Sequence, residues 1–154
     1  MAGPNFLWGN VGTVIHLLTT ELNTLGAVGG TVYGPEVGGA NSAQRGQLYL
    51  HIASSSLAFV ANSYVGVYLV PSTTTASGAT YPTYTSGAAP VYSGNGFVGN
   101  ININPKTQAA NVVDEILPGI IIPAGFFKCI LINNSLALPA SGNTLDLYPT
   151  PTQY

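Results

Sequence analysis

Hydrophobic and polar positions alternate with a period of two through most of this chain, the spacing of a strand with one buried face. In GQLYLHIA (Gly46–Ala53), Leu48, Leu50 and Ile52 fall on one face, and Gln47, Tyr49 and His51 on the other. YVGVYLVP sets Val65, Val67 and Leu69 against Tyr64, Tyr68 and Val70. GFVGNININP puts Phe97 and Val98 out of phase, then Ile101 and Ile103 against Asn102 and Asn104. TLDLYP turns Leu145 and Leu147 inward, and Asp146 and Tyr148 outward. TVIHLLT (Thr13–Thr19) is rich in apolar and β-branched residues. FFKCILIN is apolar on both faces, with Phe127, Cys129 and Leu131 on one and Lys128, Ile130 and Ile132 on the other. Such a strand belongs at the centre of a sheet covered on both sides.

Six such segments, separated by Gly- and Pro-rich connections, predict an all-β fold. The expected architecture is an antiparallel β-sandwich, jelly-roll-like, with about seven or eight strands. GAVGGTVYGPEVGGANSAQRG (Gly26–Gly46) and PSTTTASGATYPTYTSGAAP (Pro71–Pro90) read as turn-rich connections. The second is long enough to be a functional loop. Helical spacing persists only in TTELNTLG, a short helical turn that Thr19 or Thr20 caps and Gly26 ends. No period of 20–50 residues repeats. The expected organisation is an N-terminal arm, residues 1–12, and one sandwich domain, residues 13–154.

Composition sharpens this picture. Charged residues make up 5% of the chain, against ~25% in ordinary domains. The cations are Arg45, Lys106 and Lys128; the anions are Glu21, Glu36, Asp114, Glu115 and Asp146. A surface carrying a net charge of only −2 is poorly protected from association, so self-association is expected. Three scattered cations make no phosphate-binding footprint, which excludes a nucleic-acid partner. ILPGIIIPAGFF is too short and too broken by Pro118, Gly119, Pro123 and Gly125 to span a bilayer. The N-terminus lacks the basic segment and apolar core of a signal peptide. Cys129 is the sole cysteine and reads as a small buried hydrophobe.

Candidate chemistry is sparse. His16 and His51 lie on different strands and read as half-exposed strand residues, so no metal site is expected. Asp114 and Glu115 are adjacent; in an extended segment they point to opposite faces and share no site. No nucleophile elbow, Walker loop or dinucleotide-binding glycine pattern is present. The expectation is a protein that is not an enzyme and takes no cofactor. Contact residues are a better prospect. Phe6, Leu7 and Trp8 sit ahead of the first strand and must bury, either on their own sandwich or on a neighbour. Tyr81, Tyr84 and Tyr92, in the long Ser/Thr/Gly connection, offer large contact area at low entropic cost.

The closing block LPASGNTLDLYP (Leu138–Pro149) reads as a connection built on Pro139 and Gly142 and a return strand. Gly142 or Asn143 is expected to take a positive φ. The return strand is expected to pair back and bury Leu145 and Leu147. Pro149 and Pro151 then stop further pairing, which places this strand at a protected sheet edge.

These blocks resemble those of a group of small virion proteins of tailed bacteriophages. Members carry a VYLLPS-like strand, an LPP–G–FK–LLxN segment and a closing ALPASGNTLxLYPYTPQ. The matching stretches here are Val67–Ser72, Ile122–Asn134 and Ala137–Gln153, and Thr19–Leu25 is similar to the family's TTELNSL. The likeness covers scattered blocks over most of the chain. It is poorest in the first dozen residues and in TTTASGATYPTYTSGAAPVYSG. The resemblance implies a capsid decoration, or cement, protein made in the host cytoplasm. Such a protein binds the major capsid protein on the outer surface of the head as an oligomer, often a homotrimer. A tail, neck or baseplate component, including a host-binding tip, is the alternative. A carbohydrate-binding module working through the loop tyrosines is a second.

Overall fold

A computed structural model describes residues 13–38, 44–53, 62–72, 96–103 and 112–150. Within them the six alternating segments form β1 (Ile15–Leu18), β3 (Gln44–Ile52), β4 (Tyr64–Pro71), β5 (Phe97–Asn102), β7 (Phe126–Asn134) and β8 (Thr144–Thr150), and two strands that alternation did not announce join them, β2 (Gly30–Gly38) and β6 (Val113–Ile122). One 3₁₀ turn spans Thr20–Thr24. The strands make two four-stranded antiparallel sheets packed as a sandwich. Sheet I has the order β1-β8-β3-β6 and sheet II the order β2-β7-β4-β5.

This order has a simple origin. β1 pairs with β8, β2 with β7, β3 with β6 and β4 with β5. The chain is thus one long antiparallel ribbon, doubled back between β4 and β5. Rolling the ribbon adds two further pairings, β3 with β8 and β4 with β7, which close each sheet. That is the jelly-roll topology, and it makes β8, β3, β7 and β4 central and leaves β1, β6, β2 and β5 as edges.

Each of the four ribbon pairings is interrupted by a bulge, whereas the two closing pairings run in unbroken register. In every case the extra residue lies on the edge strand. Leu17 is inserted between the His16–Asp146 and Leu18–Leu145 pairs, so that Leu17 and Leu18 both reach the core. Gly34 and Pro35 together oppose Cys129. Pro118 and Gly119 oppose Gln47. Val98 is inserted in β5 and packs on the core while Phe97 turns out. A bulge twists an edge away from incoming strands and leaves its ladder incomplete.

The core is the inner face of both sheets. Leu48, Leu50 and Ile52 meet Val65, Val67 and Leu69 across the sandwich, together with Phe127, Cys129, Leu131, Leu145 and Leu147, all essentially inaccessible. β7 is central, as its two apolar faces predict. Its outward Ile130 and Ile132 join Val70 in a second buried cluster with Tyr68 packed against it. The sheets come closest at their margins, where small residues make room. A Cβ on Gly34 would stand 2.4 Å from the Leu17 carbonyl oxygen, and one on Gly99 would stand 3.0 Å from Leu117.

Three expectations are corrected. Gly30–Gly38 is a strand, not part of a turn-rich connection: as an edge strand it tolerates Pro35, and its Gly34 answers to the close approach of β1. The 3₁₀ turn has no Thr side-chain cap. The Glu21 carboxylate accepts the Thr19 N–H at 2.9 Å, and the turn ends at an extended Leu25 rather than at Gly26. Finally, β8 does not pair back on β7 and is no edge. It crosses to sheet I and lies between β1 and β3, because the rolled ribbon carries β7 and β8 into opposite sheets. Leu145 and Leu147 are buried as expected. Pro149 is tolerated within β8 because, among the described residues, β1 pairs only as far as Leu147. Gly142 takes the positive φ, +83°.

Candidate functional site

The outer face of sheet I sets several polar side chains side by side. Register lines up His16 with Asp146 and Asp146 with Tyr49, and in the next row Thr144 with His51 and His51 with Asp114. Two local networks result. His16 Nδ1 lies 2.7 Å from Asp146 Oδ1, and Thr144 Oγ1 donates to Asp146 Oδ2 at 3.4 Å. Tyr49 Oη donates to Asp114 Oδ1 at 2.5 Å, and His51 Nδ1 lies 2.7 Å from the same oxygen. The Tyr148 ring stands edge-on to Tyr49, with centroids 6.3 Å apart.

The electrostatics of the second network follow from these bonds. Two donors on one carboxylate oxygen favour its charged form. His51 chiefly, and then Tyr49, hold Asp114 below the ordinary carboxylate value. The reverse holds for the phenol. Ionising Tyr49 would lose its bond to Asp114 and set a second negative charge beside it, so its pKa is pushed up to about 12. This tyrosine is a persistent donor and a poor nucleophile. Each histidine is engaged by its own carboxylate, and the two stand on β1 and β3 with β8 between, about 10 Å apart across the sheet. Among the described residues no three His, Cys, Asp or Glu side chains gather closely enough to hold a metal ion. Glu115 faces away from Asp114, opposite Leu50, as strand alternation predicts. Cys129 is wholly buried, and burial pushes its thiol pKa up, which disfavours the reactive thiolate.

The second feature is apolar. Along one margin of the sandwich β5 of sheet II faces β6 of sheet I. An open groove of 470 Å³ runs there, lined by Leu69, Pro71, Gly96, Phe97, Val98, Gly119, Ile120, Ile121 and Pro123. Phe97 is 50% exposed and Ile121 68%. Ile116, on the same edge strand, is 54% exposed. The Pro118–Gly119 bulge creates this rim: it shifts the phase of β6, so Ile120 and Ile122 point inward while Ile121 points out.

The contact residues named from sequence, Phe6, Leu7, Trp8, Tyr81, Tyr84 and Tyr92, lie outside the described residues, as does the arm of residues 1–12. Sequence reading missed the groove, because ILPGIIIP looks uniformly apolar and no periodicity separates its outward isoleucine from its inward ones. It also missed the shared carboxylate of Tyr49, His51 and Asp114. The i, i+2 spacing of Tyr49 and His51 was visible, but the strand that pairs with them was not. Among the described residues no helix is long and apolar enough to cross a membrane. A scan against protein-family models and searches of curated proteins and of solved structures each returned no match.

Proposed function

We propose that this chain is a non-enzymatic structural protein of a tailed-phage virion, a decoration protein that binds the outside of the head and reinforces it. The observation that carries the reading is the β5/β6 groove, where Phe97 and Ile121 leave large apolar side chains in solvent on a protein with almost no charge. Exposed apolar surface of this kind marks contact with another protein. The titratable side chains described on sheet I are tied into local pairs, which suits a structural face better than an acid–base site. A jelly roll is a frequent architecture of capsid domains, although it also serves lectins and enzymes, so the fold by itself assigns nothing. The phage assignment, and with it the trimer and the major capsid protein as partner, rests on the closing-block resemblance.

The test is to strip the protein from heads, add it back and heat both preparations. Decorated heads should withstand a higher temperature than bare ones, and binding should vary little with salt, because few ion pairs are available for screening. Equal bursting temperatures sink the reinforcement role. Labelled protein found only on the tail replaces the capsid assignment with a tail, neck or baseplate one. A carbohydrate-binding module is the second reading. The rings of Tyr49 and Tyr148 beside a half-exposed carboxylate favour it, and a glycan array without hits removes it.

A further inference from the structure

The β5/β6 groove and the chain's entry into β1 lie at opposite margins of sheet I, at the same end of the sandwich. The chain enters β1 at Ile15, which is level with Leu147, Leu48 and Leu117 across sheet I. Upstream of Ile15 the chain runs toward the level of Pro149, Gly46 and Ile120, where the groove lies. β1 and β6 are the two edges of sheet I, three strand spacings or about 14 Å apart. Trp8 is five residues before Thr13, so an extended chain carries it at most about 17 Å. To seat Trp8 in its own groove, the residues between it and Thr13 would have to run almost fully extended across all four strands. A neighbour set with its β6 margin against this β1 margin meets the same arm with slack to spare.

We propose that Phe6, Leu7 and Trp8 of one copy dock in the β5/β6 groove of the next copy. The proposal rests on the self-association part of the reading above and adds the contact that drives it. A groove walled by Phe97, Ile121 and Pro123, with the Gly96 and Gly119 backbone leaving room, suits a large aromatic anchor. Because donor margin and acceptor margin differ, the contact is head-to-tail. A head-to-tail contact closes into a ring when the rotation permits, and a threefold ring is its compact form. The bulges along β6 and β1 keep the edges from simply zipping sheet to sheet, so side-chain docking takes the place of strand pairing.

The experiment uses the full chain, a variant lacking residues 1–9, and Ile121→Arg, whose site is already mostly in solvent. Circular dichroism and thermal unfolding confirm that both variants keep the sandwich. Light scattering over a dilution series measures assembly, and emission from Trp8, the sole tryptophan, reports its burial. Each variant alone should self-associate roughly 30-fold more weakly, or worse, the loss expected for an interface anchor. Trp8 emission should shift to the red in Ile121→Arg and on dilution of the wild type. Mixing the two variants should yield a heterodimer with blue-shifted Trp8, since one supplies an arm and the other an intact groove. An oligomer that survives both changes overturns the arm contact and leaves self-association standing. Trp8 emission that is blue at every concentration, with no heterodimer on mixing, overturns it in favour of an arm folded on its own sandwich. A wild type that is monomeric throughout overturns the contact and the self-association reading together.

Discussion

Replacing Asn143 with Ala should destabilise the sandwich by about 3 kcal/mol, though the residue touches no strand partner with its side chain. Asn143 is 1% exposed and ties three separate segments together. Its Oδ1 accepts the Ala53 N–H at the end of β3 at 3.1 Å. Its Nδ2 donates to the Pro139 carbonyl at 2.7 Å and to Asn23 Oδ1, in the 3₁₀ turn, at 3.1 Å. Alanine deletes all three bonds and leaves their partners to find others. Each is worth about 1 kcal/mol when the stranded partner reaches water, and up to about 3 when it does not. Ala53, Pro139 and Asn23 are all part-exposed, so the lower figure applies to each, which gives a total of about 3 kcal/mol. For a domain of this size that lowers Tm by roughly 6–12 °C. Urea unfolding followed by far-UV circular dichroism measures it. Asn143→Asp is the informative companion. It keeps the acceptor for Ala53 but turns a donor into an oxygen facing two oxygens, so at pH 7 it should cost at least as much as alanine. A loss under about 1 kcal/mol for Asn143→Ala, with m unchanged, would refute the idea that this side chain joins the segments.

Further outcomes are expected. Gly34→Ala forces a Cβ to 2.4 Å from the Leu17 carbonyl and should cost about 1–3 kcal/mol as overpacking does. Gly26→Ala, with open space and an ordinary φ, should stay within about 0.5 kcal/mol in the same unfolding assay. Alkaline titration at 295 nm should find Tyr49 ionising near 12. Folding raises this pKa, so Tyr49's contribution to stability is complete below 10 and fades as pH climbs toward 12. Asp114 has the opposite sign: its pKa is lowered, so its contribution is complete above the ordinary value of 3.8 and is lost as pH falls further. Asp114→Asn should bring Tyr49 back toward 10 and flatten the acid limb of the stability curve. Cys129 should resist thiol reagents in the native protein and react fully in denaturant, as its burial and raised pKa require; rapid native labelling would contradict that.

What the sequence alone determined was the facing of the central strands. In GQLYLHIA and YVGVYLVP a strict alternation matches a single buried face, because a strand paired on both sides has no freedom to slip its register. FFKCILIN announced its central place by being apolar on both faces. The edges were decided by the tertiary structure. Gly34, Pro35, Pro118 and Gly119 are turn signals locally, yet here they sit inside β2 and β6, since an edge strand spares one row of hydrogen bonds and absorbs a bulge. The bulge in β6 in turn puts Ile121 in solvent, so the groove was as illegible as the edge that bears it. The closing block shows the same division in one segment. Its glycine, its turn and its buried leucines follow from residue type. Its passage from one sheet to the other, and the burial of Asn143 between β3 and the 3₁₀ turn, follow only from how the ribbon rolls, which brings together residues 90 and 120 positions apart.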